Sequence, residues 1–234
     1  MPLAAQHATL PRTSFATLGR ATGCGVALVA ALALSACQAV PEHRSHTGAT
    51  ALRPSVDAGK CLADLGARMA NFTPLPDQYF GAGCSNINTV RLSSVTSDSA
   101  WLSLTNLGPV ACPLANTFAG WARFGVDRAA RQYLGSPLAR IETMGSYACR
   151  NVAGTDRRSA HSTGNAIDVS GFVLANGRRV TVLANWAGAP DERDFFAAIH
   201  QSACRRFGTV LGPDYNAAHR NHMHLEMSPT AYCH

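Results

Sequence analysis

Residues 166–183 have the sequence AIDVSGFVLANGRRVTVL, and this stretch carries the clearest signal for the fold. Two runs rich in branched and aromatic residues, 166–174 and 178–183, flank the dipeptide Asn176-Gly177. Runs of this composition favour β-strands, and Asn-Gly between them favours a hairpin closed by a type I′ turn. The stretch therefore predicts an antiparallel β-hairpin.

The other periodic segments extend this hairpin into a mixed fold. Helices are predicted where apolar residues recur at helical spacing, and strands where they alternate with polar ones. In chain order the segments are a helix from Lys60 ended by Pro74 and Pro76, a strand 90–95, a helix 113–134, a strand 138–144, a helix 191–207 and a strand 221–227. Together with the hairpin, these segments predict a single α+β domain with a mostly antiparallel sheet and flanking helices.

The N-terminus has the features of an export signal. Residues 1–36 contain no Asp or Glu, and two arginines precede an apolar run at 25–34. The run ends in the tetrapeptide LSAC at 34–37, which is similar to the lipobox of bacterial lipoproteins. We expect residues 1–36 to be removed as a lipoprotein signal peptide and Cys37 to be lipidated. The alternative is an ordinary secretory signal cut after Ala36.

The segment after the signal predicts how the domain is attached. Residues 37–58 mix Pro, Gly, Ser and Thr without apolar periodicity, which is typical of a flexible tether. No apolar run reaches the roughly 18–20 residues of a membrane span, which excludes a polytopic membrane protein. Because the neutral Gln38 follows Cys37, we expect a periplasmic protein held at the outer membrane by a lipid anchor.

The cysteines indicate an oxidising compartment. Of the 8 cysteines, Cys24 lies in the predicted signal and Cys37 is the predicted lipidation site. The other six are Cys61, Cys84, Cys112, Cys149, Cys204 and Cys233. Their even number, long spacings and lack of C-x-x-C predict disulfides rather than a thiolate zinc site. Among the possible connectivities we expect the sequential one, Cys61–Cys84, Cys112–Cys149 and Cys204–Cys233, because it closes modest loops.

Composition and charge exclude several classes of protein. Hydrophobic residues make up 47% of the chain and charged residues 15%, which excludes wholesale disorder. The net charge of +6 is mild, and the arginines are scattered apart from short pairs such as Arg205-Arg206. We therefore expect no nucleic-acid partner. A slightly basic surface suits a polyanionic neighbour such as a bacterial envelope.

Histidines and one aspartate form the strongest chemical signal. The first segment reads SAHSTGNAID at 159–168, and the second reads HRNHMH at 219–224. Residues two apart on a strand share a face, so His222 and His224 are expected to point the same way. Asp168 lies in an apolar strand, where a lone carboxylate is costly without a partner. Two imidazoles and one carboxylate around an ion, with one position open, are typical of catalytic zinc.

These motifs resemble known families. S-x-H-x-x-G-x-A-x-D followed by a late H-x-H is similar to the signature of the LAS zinc metallopeptidases, a group that includes lysostaphin, D-alanyl-D-alanine carboxypeptidases and Sonic hedgehog. The closer resemblance is to the bacterial extensin-like C-terminal domain. It is carried by GSYACRN at 145–151, by residues 159–172 and by FGTVLGPDYNAAH at 207–219. It covers about Cys61 to Cys233, which is nearly all of the predicted domain at 59–234, and implies a LAS/hedgehog-like fold.

The resemblance also implies roles for individual residues. Zinc ligation falls to His161, Asp168 and His224. His222 becomes the general base or transition-state stabiliser, and His219 lines the site, as the outlying histidine does in penicillin-insensitive murein endopeptidases. Carboxypeptidase-type members have a glutamate three residues before the last metal histidine, where this chain has Asn221. This departure moves the proton-transfer role to His222.

Two more residues are implied to bind substrate or to support the site. Arg150 stands where related enzymes have an arginine that binds a substrate carboxylate; the alternative is a solvated surface arginine. Ser159 precedes the first ligand and is assigned to substrate binding, or to holding the loop that carries the ligand.

Three functions stay open on the sequence alone. The first is a lipid-anchored, zinc-dependent peptidase that cuts a peptide bond in the peptidoglycan stem or cross-link. The second is a zinc-bearing module that binds the cell wall without turnover, as the departure at Asn221 suggests. The third is a purely structural disulfide domain, which predicts no stoichiometric metal.

Overall fold

The computed structural model describes residues 55–234, which belong to one compact unit. The predicted signal peptide, Cys37 and most of the predicted tether lie outside these residues. The helices are α1 (Val56–Ala67), α2 (Cys112–Trp121), α3 (Arg128–Tyr133), α4 (Val182–Asn185) and α5 (Pro190–Cys204), and a π-helical segment, Ala122–Asp127, joins α2 to α3. No described helix has both the length and the apolar character needed to cross a membrane.

The strands form one large sheet and a small hairpin. They are β1 (Asn71–Pro74), β2 (Gln78–Gly81), β3 (Cys84–Asn86), β4 (Thr89–Thr96), β5 (Trp101–Thr105), β6 (Pro109–Ala111), β7 (Leu138–Gly145), β8 (Ala166–Leu174), β9 (Arg179–Thr181), β10 (Thr209–Leu211), β11 (Met223–Glu226) and β12 (Tyr232–Cys233). The large sheet has the order β1-β4-β5-β7-β8-β11-β10-β12, with β6 on β4 and β9 on β8, while β2 and β3 pair separately. Only the β5–β7 and β10–β12 pairs of the described strands are parallel. The predicted α+β fold is therefore confirmed.

The hydrophobic core lies between the helices and one face of the sheet. Trp121 of α2 is fully buried, donates from Nε1 to the carbonyl of Ile199 at 3.0 Å, and packs against Phe172 of β8. The same buried cluster contains the residues on either side of Asp168 and His224, which are Ile167 and Val169 on β8 and Met223 and Leu225 on β11. Because side chains alternate along a strand, Asp168 and His224 project from the opposite face.

The helices differ from prediction mainly at their ends. The first helix begins at Val56, within the predicted tether, because the Ser55 hydroxyl accepts from the Ala58 N–H at 3.1 Å. It ends at Ala67, well before Pro74, as the chain turns through Met69 at φ 54° into β1. The helix predicted at 113–134 is present as α2, the π-helical segment and α3.

The predicted hairpin at 166–183 is confirmed, but its turn is not of type I′. β8 and β9 pair antiparallel. Only Gly177 of the Asn-Gly pair has a positive φ, of 87°, whereas a type I′ turn needs two such residues. The Leu174 N–H donates to Arg178 at 2.8 Å, which leaves a three-residue loop. The second strand stops at Thr181, because its hydroxyl accepts from the Ala184 N–H and starts α4.

The disulfide pairing predicted from the sequence is wrong for four cysteines. The structure joins Cys61 to Cys112 and Cys84 to Cys149, and only the predicted Cys204–Cys233 bridge is present. Packing explains the difference. Helix α1 packs on α2, which brings Cys61 to the start of α2, and the β2–β3 hairpin lies against the loop after β7. Loop-closure entropy varies too weakly with loop length to select a pairing.

Candidate metal centre

Two of the predicted ligands are placed by the register of the sheet. Asp168 on β8 and His224 on β11 lie directly opposite each other in the antiparallel ladder. The His224 Nδ1 and Asp168 Oδ1 atoms are 3.0 Å apart. Directly opposed residues on one sheet face are close neighbours, so the pairing of β8 with β11 is enough to bring these side chains together.

His161 reaches the same point from a loop. It lies in a short 3₁₀ helix, Ala160–Thr163, and its Nε2 is 3.2 Å from both His224 Nδ1 and Asp168 Oδ2. All three side chains are largely buried, and one ligand atom from each lies within 4.8 Å of the others. Ligands bound tetrahedrally to zinc at 2.0–2.1 Å stand roughly 3.3 Å apart, so the spacing fits a zinc ion.

Both imidazoles are oriented by a hydrogen bond at the ring nitrogen that faces away from the centre. The His161 Nδ1 lies 2.7 Å from the carbonyl of Ser146, to which it donates, and this leaves Nε2 facing the centre. The His224 Nε2 lies 3.1 Å from a carboxylate oxygen of Glu226, which leaves Nδ1 facing the centre. Outer hydrogen bonds of this kind orient metal-binding histidines and raise their basicity.

Glu226 was missed by the sequence analysis. A signal for it exists, since Glu226 stands two residues after His224 on the same strand and therefore shares its face. A carboxylate at that position can accept from the ring nitrogen that the metal does not use. Its side chain is 25% exposed, so it borders the buried centre.

The electrostatics of the three side chains favour a cation. Burial by itself raises the pKa of Asp168, but hydrogen bonds from His161 and His224 hold that pKa well below its usual range. Burial by itself lowers the pKa of His224, and hydrogen bonds to Asp168 and Glu226 outweigh it and raise the pKa to about 9. A proton therefore supplies the positive charge in the metal-free chain, and a metal ion would displace it.

His222 and His219 line the neighbouring surface. The His222 Nε2 is 3.6 Å from Asp168 Oδ1, and its Nδ1 is 2.9 Å from Asn221 Oδ1. The His219 ring centroid is 5.0 Å from that of His222. Burial lowers the pKa of both, that of His219 to about 4, so both are neutral at neutral pH. β11 begins at Met223, so His222 lies one residue before the strand on which it was predicted. Its ring nevertheless faces Asp168, as that of His224 does.

The two remaining predicted residues differ in their surroundings. Arg150 is exposed, and its positive charge contributes, after burial, to lowering the pKa of both His219 and His222. The Ser159 side chain instead caps the 3₁₀ helix by accepting from the His161 N–H at 3.4 Å. Two roles were predicted for Ser159, substrate binding and holding the loop. Because only 6% of its surface is exposed, Ser159 suits the second role.

A second group of ligand-type residues is not available to a metal. His200, Cys204 and Cys233 lie close together, but the two cysteines are joined in a disulfide. A disulfide sulfur is no thiolate, and thiolates are the form in which cysteine binds metals.

The fold and the convergent side chains define a disulfide-bonded α+β protein with a candidate metal centre. The chain belongs to the family described as extensin-like protein C-terminus, whose sequence model matches residues 59–234. This match includes every residue of the centre. Searches among curated proteins and among solved structures give no significant match.

Proposed function

We propose that the chain is a zinc-dependent peptidase that hydrolyses a peptide bond in the stem or cross-link of peptidoglycan. The observation that carries the proposal is the convergence of His161, Asp168 and His224 at 3.0–3.2 Å, with both imidazoles oriented from behind. Three protein ligands of this kind leave a coordination position for substrate, as catalytic zinc sites do.

Amide hydrolysis needs a polarised carbonyl and a group that transfers protons. The three ligands with their metal would provide the first, and His222 the second. Zinc held by these residues would polarise the scissile carbonyl and make water more acidic at neutral pH. His222 is neutral, largely buried and 3.6 Å from Asp168, so it can accept a proton next to the centre and return it to the leaving amine. The Asn221 side chain fixes the ring of His222 through Nδ1.

The substrate and the location are inferred from the sequence features. The resemblance to LAS peptidases supports a peptide of the bacterial wall, and the exposed Arg150 can pair with a carboxylate on that peptide. The lipobox-like LSAC at 34–37 supports a lipid anchor at Cys37 on the outer membrane. Labelled palmitate should enter the wild type and not Cys37→Ser; equal labelling of both would refute the anchor.

The catalytic proposal is tested by separating metal binding from turnover. Zinc-loaded protein should release new products from purified cross-linked muropeptides, as seen by mass spectrometry. His222→Ala should keep its zinc and lose about 10²–10⁴-fold in turnover, the usual contribution of a positioned acid–base group. Thr117→Ala on α2 is the control, since its hydroxyl donates to the Pro113 carbonyl of its own helix. Full turnover by His222→Ala would contradict its role.

A second function is favoured by Asn221, which stands where carboxypeptidase-type relatives have a glutamate. In this alternative the domain binds zinc and the cell wall but does not hydrolyse it. It predicts that the zinc-loaded protein sediments with purified peptidoglycan sacculi while muropeptides stay intact.

A further inference from the structure

A row of aromatic rings leads from the metal centre through His219 to three rings that are neighbours of one another, Tyr215, Tyr232 and His234; the centroids of Tyr215 and His234 are 5.9 Å apart. The ring of His219 is 5.3 Å from that of Tyr215, which is 5.9 Å from that of Tyr232, and Tyr232 is 4.6 Å from His234. The two tyrosines are 39% and 44% exposed. At its inner end the row meets His222, whose centroid is 5.0 Å from that of His219. None of the steps proposed for peptide hydrolysis uses the tyrosines.

The outer half of the row is fixed by the end of the chain. Strand β12 pairs with β10, and the Tyr232 N–H donates to the Gly208 carbonyl at 2.8 Å. The N–H of His234 donates to Val210 at 2.9 Å. Cys233, between the two rings, is bonded to Cys204 of α5. Backbone pairing and a disulfide therefore hold two exposed rings in place.

The inner half is fixed by the loop before the last metal ligand. The Trp186 indole N–H donates to a carboxylate oxygen of Asp214 at 3.1 Å, and the Tyr215 N–H donates to the Gly212 carbonyl at 3.0 Å. The side chain of Asn216 caps the next turn and lies 2.8 Å from His219 Nδ1. A surface ordered before its ligand arrives loses little entropy on binding.

We propose that Tyr215, Tyr232 and His234 form a glycan subsite, which binds the N-acetylated sugars of the peptidoglycan strand while its stem peptide lies at the metal centre. Pyranose rings present C–H faces bordered by hydroxyl groups. Exposed phenol rings offer matching apolar faces with a hydroxyl at the rim, and they are uncharged at neutral pH. The identity of the polymer rests on the proposed function, whereas sugar binding by the rings does not.

The charges near the row favour sugar over peptide as its occupant. Stem peptides carry free carboxylates and ammonium groups, which are bound best by charged partners. The carboxylate nearest to Tyr215 in sequence, Asp214, is already bound by Trp186, and the guanidinium of the exposed Arg220 donates to the Ala217 carbonyl. The rings therefore suit a neutral segment of the substrate.

Direct binding is the first test. A tetramer of N-acetylglucosamine is titrated into the full-length protein and followed by calorimetry. Tyr215→Ala and Tyr232→Ala should each weaken binding by about three- to tenfold, the usual worth of one aromatic contact. Trp101→Ala, which removes another exposed ring, on β5, should leave binding unchanged. Binding that is absent in the wild type, or unaltered in both tyrosine variants, would overturn the proposal.

A second test separates the glycan subsite from the peptidase. The same cross-linked peptide is offered with its sugars and after their enzymatic removal. The tyrosine variants should raise KM about three- to tenfold for the sugar-bearing substrate alone. Equal increases for both substrates would show that the rings bind peptide and would overturn the proposal. If the wild type cleaves neither substrate, the peptidase proposal fails, and the titration still decides the glycan subsite.

Discussion

The sheet places two ligands of the candidate centre, and a loop places the third. Asp168 and His224 are opposite each other on β8 and β11, so the register that buries their apolar neighbours also brings them together. His161 has no such ladder behind it and depends on contacts made by the loop at 146–164. The sheet therefore fixes the positions of Asp168 and His224, whereas the loop fixes that of His161.

The loop is held at several points. The Ser146 carbonyl accepts from the His161 ring, and the Ala148 N–H donates to the His161 carbonyl at 3.0 Å. The β2–β3 hairpin braces it from outside, through the Cys84–Cys149 disulfide and through the Ser162 hydroxyl, which donates to Gly83 at 3.3 Å. Weakening these contacts should therefore affect the metal through His161 alone.

The largest effect is expected from removing the bridge that braces the loop. Cys84→Ser with Cys149→Ser should destabilise the fold by about 4 kcal/mol in the chain-entropy model. The same pair should weaken zinc binding, because the loop that carries His161 loses its brace. Urea unfolding and a zinc titration on one sample measure both.

The bridge between α1 and α2 is the matched control. It spans 51 residues against 65, so Cys61→Ser with Cys112→Ser should cost nearly the same stability. Zinc affinity should be unchanged, because neither cysteine belongs to the loop or to the β2–β3 hairpin that braces it. Equal loss of zinc affinity in both double variants would show that the Cys84–Cys149 bridge has no specific role in holding the loop that carries His161.

A smaller effect is expected at the glycine that ends the 3₁₀ helix. Gly164 has a φ of 64°, and a Cβ there would lie 2.9 Å from the Pro109 carbonyl oxygen. Gly164→Ala should cost about 2–3 kcal/mol and weaken zinc binding, since the strained turn carries His161. Gly177→Ala has open space and should cost about 1–2 kcal/mol with zinc binding unchanged. Thermal unfolding and zinc titration distinguish them.

On the sheet side, Glu226 should act on metal affinity more than on stability. Glu226→Gln keeps the shape of the side chain but removes the charge that orients and polarises His224. We expect zinc binding to weaken by about 10–100-fold, as is typical when such an outer partner is lost. Glu142→Gln is the control, because this strand glutamate pairs with Arg179 instead. Unchanged affinity in Glu226→Gln would show that the strand alone orients His224.

The smallest effect is expected at Ser159. Loss of its cap at the start of the 3₁₀ helix should cost about 0.5–1 kcal/mol in Ser159→Ala, with a slight loss of zinc affinity. Thr181→Ala removes a comparable cap, 3.2 Å from the Ala184 N–H, and should leave zinc binding intact. A large drop in zinc affinity for Ser159→Ala would show that the cap, rather than the bridge, holds the loop.

The features predicted from the sequence are those with a local signature. The run 166–174, rich in branched and aromatic residues, predicts β8 with its observed bounds, and Asp168 is conspicuous there because its neighbours are apolar. The two histidine-rich segments likewise contain residues that the structure brings together, and the family resemblance names the ligands among them. Such patterns follow from burial on one face of a strand, which a single sequence reveals.

The features that were missed depend on helix packing, on backbone conformation or on the orientation of a ring. The partner of Cys61 is decided by how α1 lies on α2, and no spacing along the chain encodes that contact. The Asn-Gly sequence predicts a type I′ turn, but Asn176 does not take the positive φ that such a turn requires. The hairpin therefore closes with a three-residue loop. Glu226 was overlooked because its role appears only once the orientation of the His224 ring is known.

The central claim is that His161, Asp168 and His224 hold one zinc ion and that His222 does not. Zinc content by atomic spectroscopy after equilibrium dialysis tests it on the wild type and the four alanine variants. We predict one equivalent of zinc in the wild type and in His222→Ala, and little in the other three, because each of those removes one of three protein ligands. Full zinc in all four variants, or its loss in His222→Ala with retention in His224→Ala, would contradict the assignment.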